Sequence, residues 1–388
     1  MKKKNKLSKI EVLVIYGTRP EAIKLAPIIL KMKEKSEYNV RVCLTAQHRE
    51  LVDQVNNYFD IVPDFDLNLM TKNQTLENIT SKILKSVSDI IRHLNLDLII
   101  IHGDTTTTFA SALAAFYNNV PVAHIEAGLR THNKFSPFPE EFNRYITSYI
   151  SKWHFAPTIK SKNNLLKEHI SKDCILVTGN TIVDTVKLCI NRINRDKYLL
   201  RNIEKTLVKK FPEFLTKKKY VLITCHRREN FGLNFKKIIR TINKLCISFP
   251  NINFVFPKHL NPNTQPNELK KNLLINNLFI IDPLPYAEFL WLLNNCHIIL
   301  TDSGGIQEEG ASLKKPILIM RESSERPEVL EAGFAKLVGT DEKKIIHNLS
   351  KLLNEPDFYF KFVNNTNPFG DGNSTDRIIE FLRKKYEH

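Results

Sequence analysis

Short apolar runs alternate with segments of helical period along the whole chain. Glu11–Tyr16, Val40–Leu44, Asp97–Ile101, Val120–Ile125 and Cys174–Val177 read as strands, each a brief aliphatic run bounded by polar residues. Between them, Glu21–Lys33, Leu76–Leu94, Thr106–Phe116 and Glu140–Ser151 read as helices. In the second of these, Leu76, Ile79, Ile83, Val87, Ile90 and Leu94 recur three or four apart and predict one buried face. Strand and helix in strict alternation imply right-handed βαβ units and a parallel sheet covered on both sides.

A helix over Ile182–Ile193 follows Thr178-Gly179-Asn180, and a charged, glycine-poor stretch runs from Asn194 to Lys219. The alternation then restarts with strands at Tyr220–Thr224, Asn253–Phe256, Leu278–Ile281, Ile298–Leu300, Ile317–Met320 and Ala335–Val338. The expected fold is α/β, two doubly wound Rossmann-like domains whose strand C-termini face a central cleft. The expected domains are 1–179 and 180–373, with a last helix over 374–388 packing back on the first.

The length of 388 residues fits two such domains. With 42% apolar and 25% charged residues the chain can bury a sizeable core, which excludes disorder as its main state. No apolar run approaches the ~18 residues of a membrane span, and Lys2–Lys4 are not followed by the apolar stretch of a signal peptide. The six cysteines lie far apart without a C-x-x-C pair, so we expect reduced thiols in a cytoplasmic protein, with no disulfide framework and no zinc site. The net charge of +16 favours anionic partners. Much of that excess sits in lysine-rich stretches of an Asn- and Ile-rich chain, so compositional bias also accounts for it. A nucleic-acid-binding role finds no zinc-finger, RNP-type or basic-helix motif and is not expected.

In open α/β sheets ligands bind beyond the strand C-termini. The residues there are too polar for packing: Gly17-Thr18-Arg19-Pro20-Glu21 with Lys24 one turn on, His102-Gly103-Asp104, Glu126-Ala127-Gly128-Leu129-Arg130, Cys225-His226-Arg227-Arg228, and Asp302-Ser303-Gly304-Gly305. Ser303-Gly304-Gly305 opens a helix, whose free N–H groups and dipole suit a phosphate. Arg19 and Lys24 supply positive charge at another helix start. Neither loop is an ATP P-loop or a dinucleotide fingerprint. Asp104, Glu126 and Glu140 are the acid–base candidates, expected to share a cleft where burial and like charge raise carboxyl pKa values. Each has a plainer reading to set beside this. Asp104 could N-cap the following helix, Glu140 could pair with Arg144 at i,i+4, and Glu126 has no local partner in sequence. His226, flanked by two arginines, is expected to have a depressed pKa and to bind phosphate or act as an acid.

Together these segments resemble the non-hydrolysing UDP-N-acetylglucosamine 2-epimerases. The resemblance rests on Gly17-Thr18-Arg19-Pro20-Glu21-Ala22-Ile23-Lys24, Ala46-Gln47-His48-Arg49-Glu50, Gly103-Asp104-Thr105, His124-Ile125-Glu126-Ala127-Gly128-Leu129-Arg130 and Pro139-Glu140-Glu141-Phe142-Asn143-Arg144. It continues through His226-Arg227-Arg228-Glu229-Asn230, His259-Leu260-Asn261-Pro262-Asn263, Asp302-Ser303-Gly304-Gly305-Ile306-Gln307-Glu308-Glu309 and Arg326-Pro327-Glu328, in the family's order. It implies a GT-B glycosyltransferase-like fold and interconversion of UDP-GlcNAc and UDP-ManNAc, without metal or nicotinamide, through elimination of UDP to 2-acetamidoglucal and re-addition. It further implies catalytic roles for Asp104, Glu126, Glu140 and His226. Substrate or UDP contacts are implied for Arg19, Lys24, Arg144, Phe289, Ser303, Gly304, Gly305, Glu309 and Arg326. An activating second UDP-GlcNAc is implied near Gln47, Arg227 and His259, as are a homodimer and a place in polysaccharide biosynthesis.

The chain departs from the family at two places. Cys225 stands where Gly usually precedes the His-Arg-Arg segment, and Gly310-Ala311-Ser312-Leu313-Lys314-Lys315-Pro316 replaces the usual Ala-Pro-Ser-Leu-Gly-Lys-Pro. The rival activities are a hydrolysing 2-epimerase that releases UDP and ManNAc, and a GT-B glycosyltransferase.

Overall fold

A computed structural model describes residues 9–45, 49–70, 74–211, 219–259 and 275–386. The chain divides into two compact units, Met1–Thr185 with Phe369–His388, and Val186–Pro368. The first unit contains β1 (Ile10–Tyr16), α1 (Arg19–Lys33), β2 (Tyr38–Leu44), α2 (Arg49–Tyr58), β3 (Phe65–Asp66), α3 (Leu76–His93), β4 (Leu98–His102) and α4 (Thr106–Tyr117). It continues with β5 (Val122–Ile125), α5 (Glu140–Ile150), β6 (Trp153–Ala156), α6 (Ile159–Lys167), β7 (Ile175–Val177), the start of α7 (Thr181–Arg195) and, from the end of the chain, α15 (Ser374–Tyr386). The second holds α8 (Lys197–Lys210), β8 (Tyr220–Thr224), α9 (Leu233–Ser248), β9 (Asn253–Pro257), β10 (Leu278–Ile281), α10 (Tyr286–Asn295) and β11 (Ile298–Thr301). Then follow α11 (Gly304–Ser312), β12 (Ile317–Ile319), α12 (Pro327–Glu331), β13 (Ala335–Leu337), α13 (Glu342–Asn354) and α14 (Pro356–Val363).

Each sheet is parallel throughout. The orders are β3-β2-β1-β4-β5-β6-β7 and β10-β9-β8-β11-β12-β13, the same doubly wound winding used twice. The order reverses between β1 and β4 in one unit and between β8 and β11 in the other. A crevice opens at such a reversal, because the loops on either side turn to opposite faces.

Burial explains why these runs became strands. All of β4 and β8 are buried, as a sheet covered on both faces requires. On α3, Ile79, Ile83, Val87 and Ile91 pack on Leu13, Ile15, Ile99 and Ile101. The expected stripe is thus shifted at its end: Ile91 is buried where the sequence pointed to Ile90, and Leu76 is 40% exposed. Among the elements that the periodicity does not name, a strand and a helix show why. Trp153–Ala156 is a fully buried strand without a β-branched residue, and α8 lies in the stretch read only as charged, anchored by buried Ile203 and Leu207. Asp196 starts that helix by accepting hydrogen bonds from the N–H groups of Tyr198 and Leu199 at 2.9 and 3.0 Å.

The chain leaves the first unit along α7 and comes back at Phe369, and the two passages are stitched together. The Asn180 N–H donates to the Phe369 carbonyl at 2.7 Å. Asp184 accepts from the N–H groups of Ser374 and Thr375, at 3.2 and 2.8 Å, at the start of α15. Gly179 has φ +87°, and a Cβ there would lie 2.7 Å from Ser374 Oγ and 3.0 Å from the Phe369 carbonyl oxygen, so only glycine fits. The far end of α15 is held by Tyr386, whose hydroxyl donates to the Asp97 carbonyl at 2.7 Å and whose ring meets Trp153 edge-on at 5.5 Å. Among the described residues no helix is long and apolar enough to cross a membrane.

Burial holds several imidazoles neutral. His124 is pushed down to about 3, and His154 is also lowered, in both cases chiefly by desolvation. His297 falls to about 4 through burial and then the nearby Lys219 and Lys315. The unfolded chain takes up protons at these positions below pH 6.5 and the folded chain refuses them, so the unfolded state gains as pH falls. The melting temperature should therefore drop steadily from about pH 6.5 toward pH 4 at constant ionic strength. His124→Asn should make that slope shallower; an equally steep slope would show that His124 does not carry this term.

Candidate active site

A buried carboxylate closes each reversal point. In the first unit Glu21, 2% exposed, reaches back as part of a capping box at the start of α1. Its Oε2 accepts from the Gly17 N–H at 3.0 Å and from the N–H and hydroxyl of Thr18 at 2.8 Å. Its Oε1 accepts from the hydroxyls of Thr105 and Thr108, at 2.7 and 3.1 Å, across the reversal. In the second unit fully buried Asp302, just after β11, accepts from the N–H groups of His226 and Arg227 and from the Asn230 amide, each at 2.9 Å. Neither Glu21 nor Asp302 stood among the candidates. The Thr18-x-x-Glu21 spacing was a legible signal for the first; for the second there was none.

Two of the acid–base candidates of the first unit, Glu126 and Asp104, face a cation. Glu126 follows β5 with a left-handed backbone, φ +61°, which turns its side chain away from the strand direction. Its Oε2 accepts from the Lys24 ammonium and from the Asn180 amide at 2.7 Å, and His102 Nε2 lies 3.7 Å away. Asp104 follows the neighbouring strand β4, and Arg144 donates to its Oδ2 from Nε at 2.8 Å and lies within 2.7 Å through Nη2. His124 Nε2 is 2.7 Å from the Gly103 carbonyl oxygen, fixing the turn that delivers Asp104. Glu140 begins α5.

Several expectations change. Lys24 stands beside Glu126, and Arg144 beside Asp104. Thr105, not Asp104, caps α4, its hydroxyl accepting from the Thr108 N–H at 3.2 Å. Arg144 pairs within its helix with Glu141, three residues back, at 2.8 Å. Lys24 and Arg144 are buried and hold carboxylates, which is a different task from meeting a phosphate in solvent. Arg19 is the half-buried first residue of α1.

In the second unit, His226 is pushed down to about 4, first by burial, with Asp302 opposing and His259 and Arg227 adding to it; the flanking arginine is the smallest contributor. Its ring stacks on His259 at 4.6 Å. Ser303 precedes α11 without capping it by its side chain, so the first N–H groups of that helix have no side-chain cap. Glycine there has no internal cause. Neither Gly304 nor Gly305 has positive φ; a Cβ on Gly305 would meet nothing within 4 Å, and one on Gly304 only Arg227 Nη2 at 3.5 Å. Glycine inside a helix costs about 0.5–1 kcal/mol against alanine, so open space above these two positions suits close approach of a ligand. Deeper in α11, Glu308 accepts from Arg326 Nε, and Gln307 accepts from the Ser324 hydroxyl at 2.8 Å. Glu309 is buried and Phe289 half-buried on α10. Gln47 lies outside the described residues. Among the described residues no group of three His, Cys, Asp or Glu side chains is placed to hold a metal ion.

Two doubly wound sheets of one winding, each with polar loops at its reversal, define a GT-B-like two-domain α/β protein. The model of the family UDP-N-acetylglucosamine 2-epimerase matches residues 30–383, and the chain belongs to that family. It is 46% identical to the UDP-N-acetylglucosamine 2-epimerase of Neisseria meningitidis serogroup A over 97% of this chain and 100% of that one. It is 45% identical to the enzyme of the same name from Campylobacter jejuni, over 96% and 97%. A crystal structure of the N. meningitidis enzyme bound to UDP-GlcNAc superposes with a TM-score of 0.88 at 46% identity, covering 97% of this chain and 100% of that one.

The departures from the family pattern have local causes. A Cβ on Gly310 would lie 2.6 Å from Ile299 Cδ1 and 3.0 Å from Ile317 Cδ1, so the two isoleucines fill the room an alanine needs. Cys225 is 2% exposed and its thiol pKa is raised by burial, so it behaves as a small apolar residue. Lys314 is the converse of Gly310. It ends α11 in the left-handed region, φ +53°, where the family's glycine would sit without strain. Lys314→Gly should raise stability by about 0.5–1 kcal/mol, the relieved strain exceeding the added chain entropy. Chemical denaturation measures this, and an unchanged or lower midpoint would show the lysine is not strained.

Proposed function

We propose that the chain interconverts UDP-GlcNAc and UDP-ManNAc at C2 without hydrolysis. The observation that carries this is the pair Asp104 and Glu126, delivered from adjacent strand ends and each held by its own cation. The names and bound ligand of the relatives support the substrate. Inverting C2 needs two proton-handling groups on opposite faces of the sugar. One takes the C2 proton while the C1–O bond breaks and UDP leaves with the electron pair, giving 2-acetamidoglucal. The proton then returns to the other face, and a phosphate oxygen of UDP re-forms the bond to C1. Asp104, Glu126 and Glu140 are the groups for these transfers. Lys24 and Arg144 keep two of them oriented.

In the second unit, His226 and the Ser303-Gly304-Gly305 start of α11 hold the diphosphate, with Glu309 on the ribose hydroxyls; in the first, Arg19 is the cation offered to the substrate. Phe289 and Arg326 complete the UDP contacts, Arg326 through its pairing with Glu308. The stack of His226 on His259 favours an activating second UDP-GlcNAc near Gln47, Arg227 and His259. None of the six cysteines is held in a disulfide, which supports the cytoplasm as the working compartment; nucleotide-sugar supply for polysaccharide synthesis belongs to the same reading.

Proton NMR of UDP-GlcNAc incubated with the protein in deuterated water tests the reaction. UDP-ManNAc should appear with deuterium at C2 of both sugars. Stoichiometric UDP and free ManNAc would instead identify the hydrolysing branch. Asp104→Asn and Glu126→Gln should each lower kcat at least ~100-fold with KM little moved, as groups acting mainly in the transition state do.

A homodimer belongs to the same proposal. Helix α4 has no charged residue, and with α5 it presents exposed Phe116, Tyr117, Phe142 and Tyr149 around an edge-on contact of Phe109 with Phe142. Two copies of a chain at +16 repel elsewhere, so an uncharged aromatic face is where a second copy fits. Phe116→Glu together with Tyr149→Lys should convert a dimer to a monomer in sedimentation analysis; a wild-type monomer would reject the dimer.

A further inference from the structure

The functional reading leaves Asn180 without a role, although it stands where three parts of the first unit converge. Its side chain is used at both ends. Oδ1 accepts from the Ile182 N–H at 3.0 Å, capping α7, and Nδ2 donates to Glu126 Oε2 at 2.7 Å. Its backbone N–H donates to the Phe369 carbonyl at 2.7 Å. The residue is 4% exposed. Because the cap demands an acceptor toward Ile182, the amide cannot flip, and its NH2 must point at the carboxylate. The flanking backbone is equally fixed. A Cβ on Gly370 would come within 3.1 Å of Gly179 Cα, so the outgoing and returning passages touch main chain to main chain beside Asn180.

We infer that Asn180 is a positioning residue for the epimerisation: its amide holds Glu126 in its working orientation and ties that carboxylate to both passages of the chain between the units. This rests on the functional reading above only in taking Glu126 as a reacting group. Lys24 from α1 and His102 from the end of β4 are charged or titratable groups that face Glu126. Asn180 adds a neutral donor from a third direction, the start of α7. A donor there favours the ionised carboxylate and limits its rotation, and Lys24 alone, on a flexible stem, does not fix that angle.

Asn180→Asp isolates the proposed role. Aspartate caps a helix as well as asparagine, so the bond to Ile182 survives, while the donor toward Glu126 becomes a like charge. Asn180→Ser keeps a capping hydroxyl and removes the donor without adding charge. Both variants should melt near the wild-type temperature. In the aspartate variant kcat should fall at least ~10-fold with KM within ~3-fold, and the limb of the kcat/KM profile that carries Glu126 should move up by about one pH unit. The serine variant should lose kcat with a smaller movement of that limb. A purely structural role would change melting and leave the profile in place.

A second measurement does not depend on turnover. With carbon-13 in the glutamate carboxyls, the resonance that disappears in Glu126→Gln should titrate at higher pH in Asn180→Asp than in the wild type. Unchanged titration, or unchanged kcat and pH profile in an active enzyme, would overturn the inference. A wild-type protein that fails to epimerise would refute the functional reading instead, and the titration would still decide whether Asn180 acts on Glu126.

Discussion

Each half of the molecule is organised around one buried carboxylate that stitches the two loops of its chain reversal. Parallel strands that diverge at a reversal leave their first loop N–H groups facing each other with no ladder partner. Glu21 takes up those of Gly17 and Thr18 and reaches the threonines beyond β4. Asp302 takes up those of His226 and Arg227 from the opposite direction, donated by β8's loop to a residue after β11. A buried donor left unsatisfied costs ~1–3 kcal/mol, so removing either carboxylate orphans several groups at once. The polar loops that would meet a nucleotide sugar can be rigid without a ligand because these acceptors hold them from beneath.

Burial of Glu21 has an opposing effect. Desolvation raises its pKa while the hydrogen bonds from Thr105, Gly17 and Thr18 lower it, and burial is the larger influence. Those donors offset part of what taking the group out of water costs. In glutamine, the NH2 could be accepted only on the side of the Thr105 and Thr108 hydroxyls, since the Gly17 and Thr18 N–H groups only donate.

Much of the fold was legible because a doubly wound sheet writes itself as alternating short apolar runs. Tyr220–Thr224 and Leu278–Ile281 are strands with the bounds their sequence suggests. Trp153–Ala156 was hidden because aromatic and small residues replace the β-branched run, and α8 because lysines dominate a helix buried through only two aliphatic positions. The candidate residues named from motifs lie at strand ends and helix starts, but their partners were unreadable. Glu126 meets Lys24 and Asn180 across 102 and 54 positions, and Asp104 meets Arg144 across 40. No local spacing encodes such pairings; they exist only once the sheet order has brought the strand ends together.

The pairings also bear on the net charge. A chain at +16 invites the idea that loose cations await an anionic substrate. At the candidate site the cations are instead matched: Lys24 with Glu126, Arg144 with Asp104 and Glu141, Arg326 with Glu308, and Arg321 with Glu229. In the second unit the start of α11 and an imidazole that burial keeps neutral offer fixed dipoles. Fixed dipoles need no rearrangement when charge develops on a departing phosphate oxygen, whereas flexible cations must be gathered and stripped of water first. Under the proposed function, these donors are in position before the nucleotide arrives. That property suits a reaction in which the same leaving group must later return.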